Sequence, residues 1–161
     1  MGCHGSYADR YPEDWKHYSG KSDVIDKYDN AVRHNDYVLQ QIYEKLKENP
    51  RFKGFIYFSD HGEDVEHNYG HEASKYTATM SHIPLFMAFS PDFQAERAQT
   101  VETLRSHENS YWTNDLLYDV MTDILGIQGV PGTDLNWNLA LSQYSMTKDT
   151  LRTLHGKQAL Q

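Results

Sequence analysis

Two near-continuous apolar runs, Phe55 to Phe58 and Ile83 to Phe89, are separated by the polar stretch Asp60 to Ser81, and that spacing limits what the chain can fold into. Apolar runs without polar alternation are expected of strands buried on both faces, as in a parallel sheet. The first strand is read over Phe52 to Ser59, ending at Asp60. The second is read over Ile83 to Phe89, with Pro84 near its start, where proline is tolerated. A loop as long as Asp60 to Ser81 inside a compact domain is usually functional or disordered. Four of the chain's nine histidines, His61, His67, His71 and His82, fall within it or at its end, and they favour function.

Upstream, Ile25, Tyr28, Val32, Leu39, Ile42 and Leu46 recur at steps of three and four, which predicts one long helix over Asp23 to Asn49. Ser22 or Asp23 caps it, and Pro50 follows its end. Cys3 to Lys21, rich in Gly, Ser, Tyr and Asp, shows no period and reads as an irregular loop. Downstream, Asp92 to Arg105 is a more polar helix candidate. Thr113 is expected to cap a helix carrying Leu116, Leu117, Val120, Met121, Ile124 and Leu125, closed by Gly126. A short helix is read over Thr147 to Leu154. Strands alternating with helices predict an α/β architecture, with a largely parallel sheet flanked by helices.

Charge and hydropathy narrow the function classes. With 15 basic and 23 acidic residues the formal net charge is -8, which disfavours non-specific attraction to nucleic acid or anionic lipid. No apolar run approaches the about 20 residues a spanning helix needs, and Met1 to Tyr7 carries no secretion signal. The one cysteine, Cys3, has no partner for an intramolecular disulfide, and no finger spacing is present. Cys3 reads as a small packed residue rather than a nucleophile.

Ligands in open parallel sheets bind at the carboxyl ends of strands, and Asp60 and His61 occupy such an edge. A carboxylate and an imidazole suit Zn²⁺ or another borderline divalent ion, and Gly62 permits a tight exit. Further donors would come from other segments, with His71 and His4 as candidates. The same pair also reads as a turn with a hydrogen-bonded side chain. His67 and His71 could bind a metal together on one helical face, although Asn68, Tyr69 and Gly70 between them read as a loop. His82 is expected to be a hydrogen-bonded structural histidine. His17, His34, His107 and His155 have no local partners that single them out. Glu63, Asp64 and Glu66 read as solvated loop acids.

Three segments then carry a likeness: GCHGSYADRYP from Gly2, KYDNAVRHNDYVL from Lys27, and IYFSDHGED from Ile56 with GHE at Gly70 to Glu72. In this order they resemble the phosphoethanolamine transferases of the alkaline phosphatase and sulfatase superfamily, over roughly Gly2 to Ile127. The resemblance implies a partial alkaline-phosphatase-like fold, with residues 1–161 forming the C-terminal portion of a catalytic domain. It implies Asp60 and His61 as zinc ligands, in a site of one or two divalent ions in the full-length protein. His4 and His71 would contact the phosphoryl group as catalytic and substrate-binding residues, and Arg10 would hold its loop. Cys3 stands where the family has Ser or Thr.

The threonine nucleophile and an acidic zinc ligand of the family precede the histidine loop, so neither is expected in this chain. Neither Thr77 nor Thr79 matches the nucleophile. By resemblance, the full-length protein is anchored at the periplasmic face of the bacterial inner membrane. It would move phosphoethanolamine from phosphatidylethanolamine to a lipopolysaccharide acceptor, lipid A or a core sugar. The same cradle serves a sulfatase or phosphodiesterase-type hydrolase, but the residues after Cys3 do not match the sulfatase motif C-x-[PA]-x-R. A non-catalytic binding module is a further alternative. A partial ligand set binds zinc weakly, so this chain alone is expected to be inactive or metal-free.

Overall fold

The computed structural model describes residues 5–153 and 156–160; His4, Cys3 and His155 lie outside the described residues. The chain divides into two compact units, Met1–Ser90 and Pro91–Gln161.

In the first unit, helix α1 spans Asp23–Lys47, close to the extent its periodicity predicts. Ser22 is its N-cap, its hydroxyl accepting from the Ile25 amide at 3.4 Å, so an otherwise orphaned donor of the first turn is satisfied. The buried side chains of α1 are Asp26, Asn30 and Ala31 rather than the apolar stripe. Asn30 exchanges two hydrogen bonds with the His17 main chain, at 3.1 and 2.9 Å. Asp26 accepts from both the amide and the hydroxyl of Ser19. The hydroxyl bond comes first among the causes that hold the Asp26 carboxyl below its ordinary value. These bonds sew the N-terminal segment onto the helix. That segment is not wholly irregular, since Tyr7–Arg10 and Glu13–Trp15 are 3-10 turns. Trp15 packs on His34 and Tyr37, each with ring centroids 5.0 Å away, and lies under the Arg33 guanidinium. Val32, Ile42 and Leu46, expected to face a core, are 41%, 37% and 38% exposed.

Strands β1, Gly54–Phe58, and β2, Leu85–Phe89, form at the two apolar runs. They pair antiparallel in a two-stranded sheet, Gly54 opposite Phe89 and Phe58 opposite Leu85, which corrects the expectation of a parallel arrangement. An apolar run reports burial and carries no information on the direction of the neighbouring strand. Burial on both faces is also not reached, as every residue of the pair is half-buried or exposed. Tyr57 and Phe86 face each other in register with centroids 5.3 Å apart, a cross-strand contact of the kind that stabilises such ladders. Tyr43 of α1 packs on Phe55 at 6.0 Å, and Asn35 donates to the Tyr57 hydroxyl at 3.1 Å, so α1 lies along β1.

The second unit is built on α2, Pro91–Glu96, α3, Ala98–Ser106, and α4, Leu117–Ile124. The single helix expected over Asp92 to Arg105 breaks at Arg97, whose backbone leaves the helical region at φ -124° and ψ 39°. Its guanidinium donates to the Asp123 carbonyl at 2.6 Å. A 3-10 turn over Asn114–Leu116 precedes α4, and the Thr113 side chain makes no capping bond. Gly126 ends the helix as expected, at φ +67°, a conformation that favours glycine. Phe93, Val101, Leu116, Val120, Ile124, Leu139, Ala140 and Leu151 are buried in this unit, Val120 completely. Among the described residues of the stretch Thr147 to Leu154 no helix forms: a turn there leads into a short antiparallel pair of strands, β3, Arg152–Thr153, and β4, Gln158–Ala159.

Candidate functional site

β1 ends at Phe58, and the chain then turns sharply through Asp60, His61 and Gly62. The Gly62 amide donates to the Met80 carbonyl at 2.8 Å, tying the far end of the loop back to its start. A β-carbon on Gly62 would lie 2.3 Å from the Thr79 carbonyl oxygen and 3.0 Å from that of His82, so only glycine fits. This close approach holds the residue after His61 against the segment that leads into β2.

Residues 64–70 form a tight inner loop closed by an antiparallel bridge between Asp64 and Gly70. Gly70 adopts φ +58°. The Asp64 amide donates to the Gly70 carbonyl at 2.7 Å, and the Asp64 carbonyl accepts from Tyr69 and Gly70. The Asp64 carboxylate, only 2% exposed, accepts from the Thr77 hydroxyl at 2.6 Å, the His67 amide at 2.9 Å and the His67 ring at 3.0 Å. The Thr77 hydrogen bond, then the His67 amide, holds its carboxyl below the ordinary 3.8. For a depressed carboxyl the stabilisation is complete above 3.8 and is lost as pH falls through the lower folded-state value. The Asp64 carboxyl carbon is therefore expected to titrate by NMR with a midpoint below 3.8, and Thr77→Val to move that midpoint upward.

This turn brings His71 back beside His61, and their rings stack with centroids 4.2 Å apart and planes 26° from parallel. The His61 ring meets the Gly62 carbonyl through Nδ1 at 3.0 Å. His71 meets Glu63 through Nδ1, 2.7 Å from Oε1, and the Tyr7 hydroxyl donates to Glu63 Oε2 at 2.9 Å. Glu63 is 7% exposed. A cleft of about 650 Å³ opens against the loop, lined in part by Tyr7, Lys27, Glu63, Tyr69, His71 and Glu72.

The donor chemistry fits a borderline divalent ion. Ligand atoms of His61, Glu63 and His71 all lie within 4.8 Å of one another, and imidazole and carboxylate are ligands that zinc takes. Asp60 stands outside this trio, its side chain 82% exposed, with Oδ2 3.8 Å from His61 Nε2. That is close to the roughly 3.3 Å between two donors on a single tetrahedral ion with bonds of about 2.0 Å.

Of the residues singled out from sequence, His61 and His71 are together, Asp60 is adjacent, and His4 lies outside the described residues. Arg10 is exposed at the end of its 3-10 turn. His67 belongs to Asp64 and stacks on Tyr69 at 5.5 Å, so it does not pair with His71 on a helical face. His82, expected to be a hydrogen-bonded structural histidine, is exposed. The reading of Glu63 and Asp64 as solvated acids is wrong, since both are buried, whereas Glu66 is exposed as expected. A signal was present: Asp64 and His67 have the spacing of an acid that bonds the main chain three residues on, and glycines flank the segment at Gly62 and Gly70.

The model of the Sulfatase family matches residues 1–122. Among curated relatives, the phosphoethanolamine transferase EptA of Salmonella typhimurium is 27% identical over 147 residues, covering 80% of this chain and 27% of the relative. The phosphoethanolamine transferase EptC of Escherichia coli strain K12 is 27% identical over 179 residues, covering 99% of this chain and 30% of the relative. The putative transferase YhbX of the same strain is 31% identical over 97 residues, covering 56% of this chain and 17% of the relative. The chain thus spans less than a third of the length of these relatives. No solved structure matches. With the family model covering the whole of the first unit, the loop that carries His61 and His71 included, the chain belongs to the Sulfatase family of the alkaline phosphatase and sulfatase superfamily.

Proposed function

We propose that residues 1–161 form part of a metal-dependent transferase that moves phosphoethanolamine from phosphatidylethanolamine to a lipopolysaccharide acceptor, at the periplasmic face of an inner membrane. The observation that carries this reading is the convergence of His61 and His71, with Asp60 at the rim, on one spot beside an open cleft. Similarity to EptA and EptC supplies the transferred group, and the acceptor and the location follow from the resemblance of the motifs. The alkaline-phosphatase-like fold, with its larger sheet, belongs to the same proposal.

Asp60 and His61 would hold the ion, which supplies Lewis-acid polarisation of a phosphoryl oxygen when bound. The residues of this chain supply position and charge. Phosphoryl transfer spreads negative charge over the equatorial oxygens and asks for fixed donors more than for covalent chemistry. His71 sits within ring-stacking distance of His61 and would contact the phosphoryl group there. The same role is proposed for His4. The attacking threonine is supplied by residues other than these.

The test is an assay of the membrane-anchored protein carrying these residues, with labelled phosphatidylethanolamine and lipid A. Label on lipid A, abolished by Asp60→Ala, is the expected result. Release of free phosphoethanolamine with none on the acceptor would favour the hydrolase reading. Activity unaffected by Asp60→Ala would favour a non-catalytic role for this loop. Residues 1–161 alone are expected to leave a chromogenic phosphodiester uncleaved.

A further inference from the structure

Glu63 has no role in the reading above, yet it is among the most deeply placed charges of the loop. A carboxylate that is 7% exposed is costly unless its oxygens are satisfied. Both are: Oε1 faces His71 Nδ1 at 2.7 Å, and Oε2 accepts from the Tyr7 hydroxyl at 2.9 Å. An ionised carboxylate only accepts, so the proton between Glu63 and His71 lies on the imidazole. That assigns His71 the tautomer with hydrogen on Nδ1 and the lone pair on Nε2. Tyr7, through its own bond and its edge-on contact with Tyr28 of α1 at 5.3 Å, keeps the carboxylate from rotating.

We propose that Glu63 is a positioning residue, braced by Tyr7, that fixes the tautomer and ring orientation of His71 so that Nε2 is the nitrogen offered to the reacting group. Imidazoles in such sites commonly hand their second N–H to a carboxylate, and losing that partner typically costs 10–100-fold in affinity or activity. The geometry also separates this role from a chelate formed by Glu63 together with His71 Nδ1. Glu63 meets His71 on the nitrogen that the tautomer protonates, so Glu63 and His71 Nδ1 cannot both donate a lone pair to one ion while this bond stands. Adjacent Asp64 treats His67 in the same way, through Nδ1 at 3.0 Å. Two consecutive buried acids thus each fix one imidazole, and only that of Glu63 lies against His61.

The part of the proposal that concerns the reacting group rests on the phosphoryl role given to His71, whereas the tautomer does not. Long-range ¹H–¹⁵N spectra of ¹⁵N-histidine protein, assigned with His71→Gln, read the tautomer directly. The wild type is expected to show His71 protonated on Nδ1. Glu63→Ala should lose that preference, while Glu63→Gln, whose amide oxygen still accepts, should keep most of it. Tyr7→Phe should weaken it. An Nε2-protonated His71 in the wild type overturns the proposal without any variant, as does a tautomer unchanged in a folded Glu63→Ala protein. Coordination of added Zn²⁺ through His71 Nδ1 also overturns it. In the membrane-anchored enzyme, Glu63→Ala is expected to lower kcat by about 10–100-fold, with Glu63→Gln closer to wild type. A tautomer that follows Glu63 while turnover does not would uphold the positioning role and sink the phosphoryl role of His71.

Discussion

Gly62→Ala is expected to destabilise the first unit by about 3 kcal/mol, the upper part of the range for forcing an extra methyl into a filled space. For a chain of this length that lowers Tm by roughly 6–12 °C. The added carbon would stand 2.3 Å from the Thr79 carbonyl oxygen, and both partners are main chain, so no side chain can swing away to relieve it. The backbone must shift instead. That shift stretches the 2.8 Å bond from the Gly62 amide to Met80, which closes the loop onto the entry to β2. His61, one residue away, moves with it, and its stacking on His71 is lost. Differential scanning calorimetry measures the first effect and His61 ring chemical shifts the second. Gly5→Ala is the control, because nothing lies within 4 Å of its added carbon, and it should leave Tm unchanged.

Which parts of this could be read from sequence follows from what each pattern reports. Helix α1 was legible to within two residues of its end, since its apolar positions and the Ser22 cap are both local signals. What that period could not say is which face is buried. The stripe of Val32, Ile42 and Leu46 stays partly exposed, while Asp26 and Asn30 are covered by the N-terminal segment, because their polar groups bind its main chain. Positions of β1 and β2 were legible, but their antiparallel pairing is a property of partners rather than of either run. The break at Arg97 escaped for a similar reason, as the contact with Asp123 is distant in sequence.

The site divides along the same line. Asp60, His61 and His71 stood out because their types and their motif are rare in combination. Glu63 and Asp64 did not, because a carboxylate in a polar loop is ordinarily solvated, and the local Asp64–His67 spacing marks a turn rather than burial. Their burial arises from Tyr7, His71 and Thr77 closing over them, contacts spanning 56, 8 and 13 residues.

His61→Ala is the second large effect expected, and it bears on the metal. Loss of a partner that merely orients a ligand costs about 10–100-fold in metal affinity, so removal of the ligand itself should cost more. His61 is half-buried at 28% side-chain exposure, with Nδ1 against the Gly62 carbonyl at 3.0 Å, so its truncation leaves the loop closure through Gly62 and Met80 intact. The most direct measurement is the zinc K-edge absorption spectrum of the protein at saturating zinc, for wild type and for His61→Ala. The account predicts imidazole scattering at about 2.0 Å in the wild type, reduced in the variant together with a weaker zinc isotherm. A wild-type shell without imidazole, or spectra and isotherms that coincide for the two proteins, would contradict it.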